Sequence, residues 1–435
     1  MNKTKYKKDT IKQRDIAELI SNTVESLEDE LIKFTQKIIK IPTENPPGQN
    51  YPECAKAIGE KMREIGCSVE YVEVPESLLP KLAPHGENLP RISVIGHYRG
   101  EKIRPLLHFS GHFDVVPAGS DWTLDPYEGI VKNGNIYGRG TSDQKSGIAA
   151  QIFAIYALKK AGLQLEGTIL SSATPDEETG GNAGLGYLVN QGYISDKNTD
   201  YCVITECLDV DKICLGHRGT FWFEIETKGI QSHGSMPFEG VNAIDKMIKL
   251  INEIKYQTKT KFKKQSKYLI MPFECRKSTL TVTMINAGTK VNVVPNSCKA
   301  EFDWRLIPEH SVLEAEKTII SICEGLKKSD PEFNCKINII QKIEPILVPR
   351  NTTVVKTFQE SVEYFLRKPV SFSISPGSDD QRFVVKNGNI QQCIVYGPGS
   401  LVMAHKSDEY VPIKDIKNAA KVMALAALKL LGVKK

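Results

Sequence analysis

Apolar positions along the chain repeat with two different periods. In "LEDELIKFTQKIIKI", Leu27, Leu31, Phe34 and Ile38 recur at steps of four, three and four, which predicts one face of a helix. The prolines and glycine of "PTENPPG" stop it, and "YPECAKAIGEKMREIG" predicts a second helix closed at Gly66. From there short apolar runs alternate with helical stretches. "SVEYVEV", "RISVIGHY" and "LLHFSGHFDVV" predict strands. "SGIAAQIFAIYALKKAG" predicts a buried helix closed by Lys159, Lys160 and Gly162. "EGTILSSATPDEE" predicts a strand running into a polar loop, and "YCVITE" another strand. This alternation predicts an α/β fold built on a mostly parallel sheet with helices on both faces.

The pattern changes near Gly216. "TFWFEIETKG" alternates as a half-buried strand, and "NAIDKMIKLINEI" reads as a helix. "STLTVTMINAG" and "SCKAEFDWRLIP" follow as strands, "VLEAEKTIISICEGLKK" as a helix and "CKINIIQKI" as a strand. The order β-α-β-β-α-β is the split, ferredoxin-like pattern. A chain of 435 residues also exceeds what one core supports. We therefore expect a basic tail over 1–15, one domain formed by 16–215 and 347–435, and a smaller α+β domain inserted at 216–346.

Composition narrows the function classes. Hydrophobic residues make up 40% and charged residues 25%, ordinary for a soluble globular protein. The net charge is +5, concentrated in "MNKTKYKKDTIKQR" and "KYQTKTKFKKQSK". Either segment can meet an anionic surface, but solvated faces carry such runs equally well. No aromatic–basic interleaving points to nucleic acid, and no apolar run of membrane-spanning length or signal-peptide core is present. Ten scattered cysteines without a CxxC fit reduced thiols. The expectation is a cytoplasmic protein with neither membrane nor nucleic-acid partner.

Five polar clusters fall where strands of the larger domain should end. His112 and Asp114 stand two apart on one strand, hence on one side of it. A liganding imidazole needs a carboxylate or carbonyl to fix its tautomer, and Asp114 can serve; a satisfied core histidine is the plainer alternative. Asp143 follows the Gly138 and Gly140 turn of "YGRGTSDQKSG" and also suits a helix N-cap. Asp176, Glu177 and Glu178 end a strand, as a solvated loop or as acids that a cation compensates. Glu206 closes "VITE", and His405 lies in "GPGSLVMAHKSDEYV". Open α/β sheets place their sites at the carboxyl ends of strands, and mixed N/O ligation suits zinc, with cobalt or manganese in its place.

Taken together, "GHFDVVPAG", "GRGTSDQKSG", "DEETGG", "ITE" and "AHKSDEYV" resemble, in order and spacing, a metallohydrolase family. Its members include acetylornithine deacetylase, succinyl-diaminopimelate desuccinylase, aminoacylase-1 and carboxypeptidase G. The resemblance covers nearly the whole chain beyond the tail. It implies two divalent metal ions bridged by Asp143, one completed by His112 and Glu206, the other by Glu178 and His405. It implies Asp114 as the clamp on His112, Glu177 as general base, and a cis peptide between Asp143 and Gln144. It further implies a homodimer formed through the inserted domain, with His233 and Asn292 supplied to the partner's site. Arg218, Arg305, Gly377 and Ser378 match positions that hold substrate. By composition alone His233 reads as a surface histidine and Arg305 as part of a surface ion pair.

The implied activity is hydrolysis of an N-acyl amino acid, of the acetylornithine deacetylase or succinyl-diaminopimelate desuccinylase type found in amino-acid biosynthesis. The loops mix two patterns. "PGSDDQRF" resembles the desuccinylases with Ser378 in place of their Thr, whereas Leu401 stands where they carry a substrate-contacting Asn. A metallo-exopeptidase taking dipeptides, and a non-catalytic relative that only binds, are the alternatives. The second is disfavoured by the presence of all five ligands and the base.

Overall fold

The computed structural model describes residues 3–434. They form two compact units. The first holds the chain up to Leu215, with Val348–Phe372 and everything from Asp379; the second holds Gly216–Leu347 with Ser373–Ser378. The short 373–378 segment, carrying Gly377 and Ser378, thus groups with the second unit, although it lies beyond the expected insertion.

In the first unit the segment expected as a basic tail over 1–15 is helical from Lys3. Met1 and Asn2 lie outside the described residues, and helix α1 runs from Lys3 to Ser26. Ala17, Ile20 and Val24 of α1, with Leu27 just past it, are buried at helical spacing, a stripe that follows the run of lysines. Helix α2 (Glu28–Ile39) buries Leu31, Phe34 and Ile38, the face expected of it. Helix α3 follows (Tyr51–Glu64).

The large sheet has strands β1 (Ser68–Glu73), β2 (Ile92–Tyr98), β3 (Leu106–His112), β6 (Thr168–Thr174), β7 (Tyr201–Ile204), β8 (Lys212–His217) and β15 (Cys393–Val395). Their order is β1-β2-β6-β3-β7-β15-β8. The central pairs β6–β3, β3–β7 and β7–β15 are parallel; β1 and β2 are antiparallel additions at one side. Strands β3 and β6 are buried at every residue, which is why their sequences do not alternate as a half-buried strand does. Helix α4 (Ser146–Lys160) is likewise buried all round as far as Leu158. A small antiparallel sheet of β4 (Ile130–Lys132), β5 (Asn135–Tyr137) and β16 (Tyr410–Pro412) ties the region before α4 to that before the last helix, α8 (Ile413–Leu431).

Register, more than strand identity, positions the site. His112 pairs with Thr174, and Ser110 pairs with Ile204. The carboxyl ends of β3, β6 and β7 therefore lie side by side, and the residues just past them share one rim.

The second unit runs β9 (Gly219–Lys228), α5 (Ala243–Thr258), β11 (Thr279–Ala287), β13 (Ser297–Leu306), α6 (Val312–Ser329) and β14 (Asn334–Ile343). Its four strands are antiparallel in the order β11-β13-β9-β14, the ferredoxin-like arrangement. Phe221, Phe223 and Ile225 alternate inward on β9 against Phe302, Trp304, Met247, Leu250 and Ile319. Asn242 and Ser311 cap the two helices, accepting from the backbone N–H of Ile244 (2.9 Å) and Glu314 (3.1 Å). A two-residue pair, β10 (Ser232–His233) with β12 (Val293–Val294), lies outside that sheet. None of the ten cysteines forms a disulfide, and among the described residues no helix is long and apolar enough to cross a membrane.

Candidate metal centre

The first half of the centre grows from strand ends. His112 is the last residue of β3, and Glu206 lies two past the end of β7. The His112 Nε2 lies 3.2 Å from Asp143 Oδ1 and 3.3 Å from Glu206 Oε1. Its Nδ1 lies 3.0 Å from the Asp114 carbonyl and 3.3 Å from the Asp114 carboxylate. A carbonyl only accepts, so Nδ1 carries a proton, and Nε2 is the ring nitrogen turned toward the acids. Asp143 does not act as an N-cap, because α4 starts three residues later and has no side-chain cap. It sits instead in a turn entered through Gly140 at φ +85°, where a Cβ would come 2.6 Å from Val115 Cγ1. The Asp143–Gln144 peptide is cis. With its amide oriented by its neighbours, Gln144 accepts the His112 N–H (2.6 Å) and donates to the Thr205 carbonyl (2.7 Å), lacing this turn to β3 and β7.

The second half is made by loops. His405 Nε2 lies 3.2 Å from Glu178 Oε2 and 3.4 Å from Asp143 Oδ2. The two carboxylate oxygens of Asp143 thus face different histidines. His405 has φ +64°, and its side chain remains 53% exposed, against 1% for His112.

Asp114 does more than clamp an imidazole. Its two carboxylate oxygens accept the backbone N–H of Glu177 and of Glu178, each at 3.1 Å. One carboxylate thereby fixes His112, the expected base and a second-half ligand. Several supporting residues escaped the sequence reading. Asn45 Nδ2 donates to Asp114 (2.9 Å), to Asp176 (3.2 Å) and to Thr179 (2.9 Å). Asp176 is no candidate ligand: at φ +68° it turns away and accepts from buried Arg91 at 3.0 Å. An arginine opening an apolar strand, as in "PRISVIGHY", was the available signal for that pair.

The donor set fits divalent cations. His112, Asp143 and Glu206 form one group whose ligand atoms all lie within 4.8 Å of one another; Asp143, Glu178 and His405 form another. Glu178 Oε1 is buried without a hydrogen-bond partner, and Glu206 Oε1 has only the His112 ring beside it at 3.3 Å. Crowded acids need compensating charge, and in this structure the imidazoles provide it. Hydrogen bonds to Asp143 and Glu178 push His405 up to about 10. Burial works against a charged His112, but Glu206, Asp114 and Asp143 together raise it well above the usual histidine range. Burial, then the Asp143 charge, raises Glu178 to about 7, and burial lifts Glu177 well above a normal carboxyl. Two imidazoles and three carboxylates, one shared, are ligands of the kind zinc, cobalt and manganese accept.

The remaining candidates belong to the second unit. His233 is exposed, and its Nδ1 accepts the Ser235 N–H (3.2 Å), leaving Nε2 as the N–H donor of the neutral ring. Asn292 accepts the Gly234 N–H through its carbonyl (2.8 Å). Arg218 is buried, donates to the Lys277 and Arg305 carbonyls and the Thr279 hydroxyl, also meets Cys275, and makes no ion pair among the described residues. Arg305 is already held by Asp303, at 2.8 Å, the ion pair that its alternating strand suggested. Gly377 has open space around its Cα, and Ser378 is half-buried.

A parallel α/β sheet with two N/O ligand groups sharing one carboxylate at its carboxyl rim, and a split βαβ unit carried separately, defines a metal-dependent hydrolase of amide bonds. Residues 108–429 match the model of Peptidase family M20/M25/M40, and the chain belongs to that family. A probable succinyl-diaminopimelate desuccinylase of Staphylococcus epidermidis is 26% identical over 410 residues, covering 88% of this chain and 93% of that protein. The succinyl-diaminopimelate desuccinylase of Pelagibacter ubique is 28% identical over 398 residues, covering 90% and 96%. Among solved structures, an M20 family metallo-carboxypeptidase from Sulfolobus solfataricus superposes with a TM-score of 0.71 at 20% identity, covering 92% of this chain and 99% of that one.

Proposed function

We propose that the protein removes the acyl group from an N-acyl amino acid, with a desuccinylase-type substrate first in line. The observation that carries this reading is the pair of ligand groups joined through Asp143, with Glu177 next in sequence to a ligand and not part of either group. Two divalent ions, zinc first and cobalt or manganese in its place, would be held by His112, Asp143, Glu206, Glu178 and His405. When bound, such ions supply Lewis acidity that polarises an acyl carbonyl and makes a water acidic enough to attack at neutral pH.

The chain's own residues do the rest. Glu177, fixed through its N–H by Asp114, takes the proton of the attacking water and returns it to the leaving amine. Asp114 keeps His112 in the tautomer that offers Nε2. His233, whose Nε2–H is left free, supplies a donor for the oxyanion, from the partner subunit of a dimer formed through the second unit. Arg218, a buried guanidinium without an acid, would receive the substrate carboxylate, and its planar fork suits one. Arg305 is the weaker candidate, since Asp303 holds it. Asn292, Gly377 and Ser378 complete the substrate contacts in this reading.

The desuccinylase assignment is supported by the curated relatives. The exopeptidase alternative draws on fold likeness to a carboxypeptidase, whereas Leu401 weighs only against the desuccinylase form and toward the acetylornithine deacetylase one. A panel of N-succinyl, N-acetyl and N-formyl amino acids and dipeptides, assayed with added zinc or cobalt, decides between them. The expected result is the highest kcat/KM for an N-succinyl amino acid. A dipeptide exceeding every N-acyl substrate tenfold would replace this reading with the exopeptidase one.

A further inference from the structure

Two chain segments that carry metal-site residues are locked together by a buried ion pair that none of the roles above uses. Arg139 and Glu409 lie 2.6 Å apart, at 2% and 0% side-chain exposure. The second oxygen of Glu409 accepts two successive backbone N–H groups, those of Ser142 (2.7 Å) and Asp143 (3.0 Å). The Arg139 guanidinium reaches the other way. It donates to the carbonyls of Lys406 (3.1 Å) and His405 (3.4 Å), and to that of Ala118 (3.4 Å). The Trp122 ring lies under it at 5.1 Å, and Trp122 Nε1 donates to the same Ala118 carbonyl at 2.7 Å. So Glu409, four residues past His405, holds the backbone of Asp143, while Arg139, four residues before Asp143, holds the backbone of His405.

We infer that the Arg139–Glu409 pair is a positioning device for the second metal position: it sets the Asp143 and His405 loops in register and so determines how tightly that position is filled. The inference rests on the two-metal reading above. Its physical basis is an asymmetry in what else holds each ligand. His112 and Glu206 are fixed by strand ends and by Gln144, and Glu178 by Asp114. His405 is half-exposed at φ +64°, and the hydrogen bonds on its own backbone carbonyl come from Arg139. Replacing Glu409 by Gln would turn an acceptor facing Arg139 into a donor or remove the acceptor for Ser142 and Asp143; one amide cannot satisfy both. Disturbing partners that orient ligands typically costs 10–100-fold in metal affinity.

The test is cobalt titration of the metal-free full chain against a competing chelator, with bound metal counted by mass spectrometry. The wild type is expected to take two equivalents. In Glu409→Gln the first equivalent should bind within about threefold of wild type, and the second about 10–100-fold more weakly. Arg139→Lys keeps the charge but loses the fork, so it should give a smaller loss confined to the second equivalent. It also serves as the test should Glu409→Gln fail to fold. Equal weakening of both equivalents would mark a merely structural pair and overturn the inference, as would two unchanged equivalents. A wild type that takes up one equivalent would overturn the two-metal reading, and this inference with it.

Discussion

The two halves of the candidate metal centre share Asp143 but are built from different material. His112 and Glu206 sit at or just past strand ends whose register the sheet dictates. Glu178 and His405 sit on loops, held by long-range side-chain contacts from Asp114 and Arg139, and Glu409 in turn anchors Arg139. Burial follows the same division, with His112 enclosed and His405 half-open. A strand-held half is preorganised by the fold itself. A loop-held half depends on a few polar contacts, each worth a kcal/mol or so net and more where a charge is buried. The difference implies that the strand-held group forms with the fold, whereas the loop-held group rests on contacts that can be removed one at a time.

The largest expected effect comes from the proposed base, which belongs to neither half. Glu177→Gln keeps the volume and the N–H that Asp114 accepts, but removes the proton acceptor. Turnover should fall by about 10²–10⁴, the range of general acid–base catalysis, with both metal equivalents still bound. Activity within tenfold of wild type would mean that the base lies elsewhere. Next in size is a paired comparison. His405→Ala should abolish the second metal equivalent and leave the first within a few-fold, whereas His112→Ala should disrupt the first and misplace Asp143 as well, since His112 Nε2 faces it. Both variants should lose at least tenfold in kcat. Metal counts at limiting cobalt check the asymmetry, and equal losses at both positions in the two variants would erase it.

The same division explains what the sequence made legible. The strands and the helices they alternate with were readable, because buried strands show as apolar runs and helical faces as three-and-four spacing. His112 and Glu206 were readable as candidates because they interrupt or end such runs. Nothing in "AHKSDEYV" by itself placed His405 near Glu178; only the joint resemblance did, since loop geometry is set by contacts such as Arg139 to the His405 carbonyl, over 260 residues apart in sequence. Glu409 was passed over because its role is spent on backbone N–H groups, which no side-chain pattern records. Helix α1 was missed because its buried stripe begins after a run of lysines whose charge dominates any composition window.

The smallest effect concerns the strand that carries the preorganised half. His108, four residues before His112 on β3, is fully buried and bonded through Nε2 to Ser172 Oγ at 2.8 Å. Burial, with the nearby His97 charge, pulls it down to about 3. Unfolded, it would titrate near 6.5. Between these values the unfolded chain binds a proton that the folded one refuses, so its contribution is fully present above about pH 6.5 and is lost as pH falls toward 3. At pH 5 that loss amounts to about 2 kcal/mol. His108→Gln keeps a hydrogen-bonding partner for Ser172 and does not titrate. Urea denaturation at pH 7 and pH 5 should therefore show the wild type losing about 2 kcal/mol more than the variant over that interval. Equal losses would show that β3 tolerates a charged imidazole in its middle, and the strand-held half would then have no greater claim to rigidity than the loop-held one.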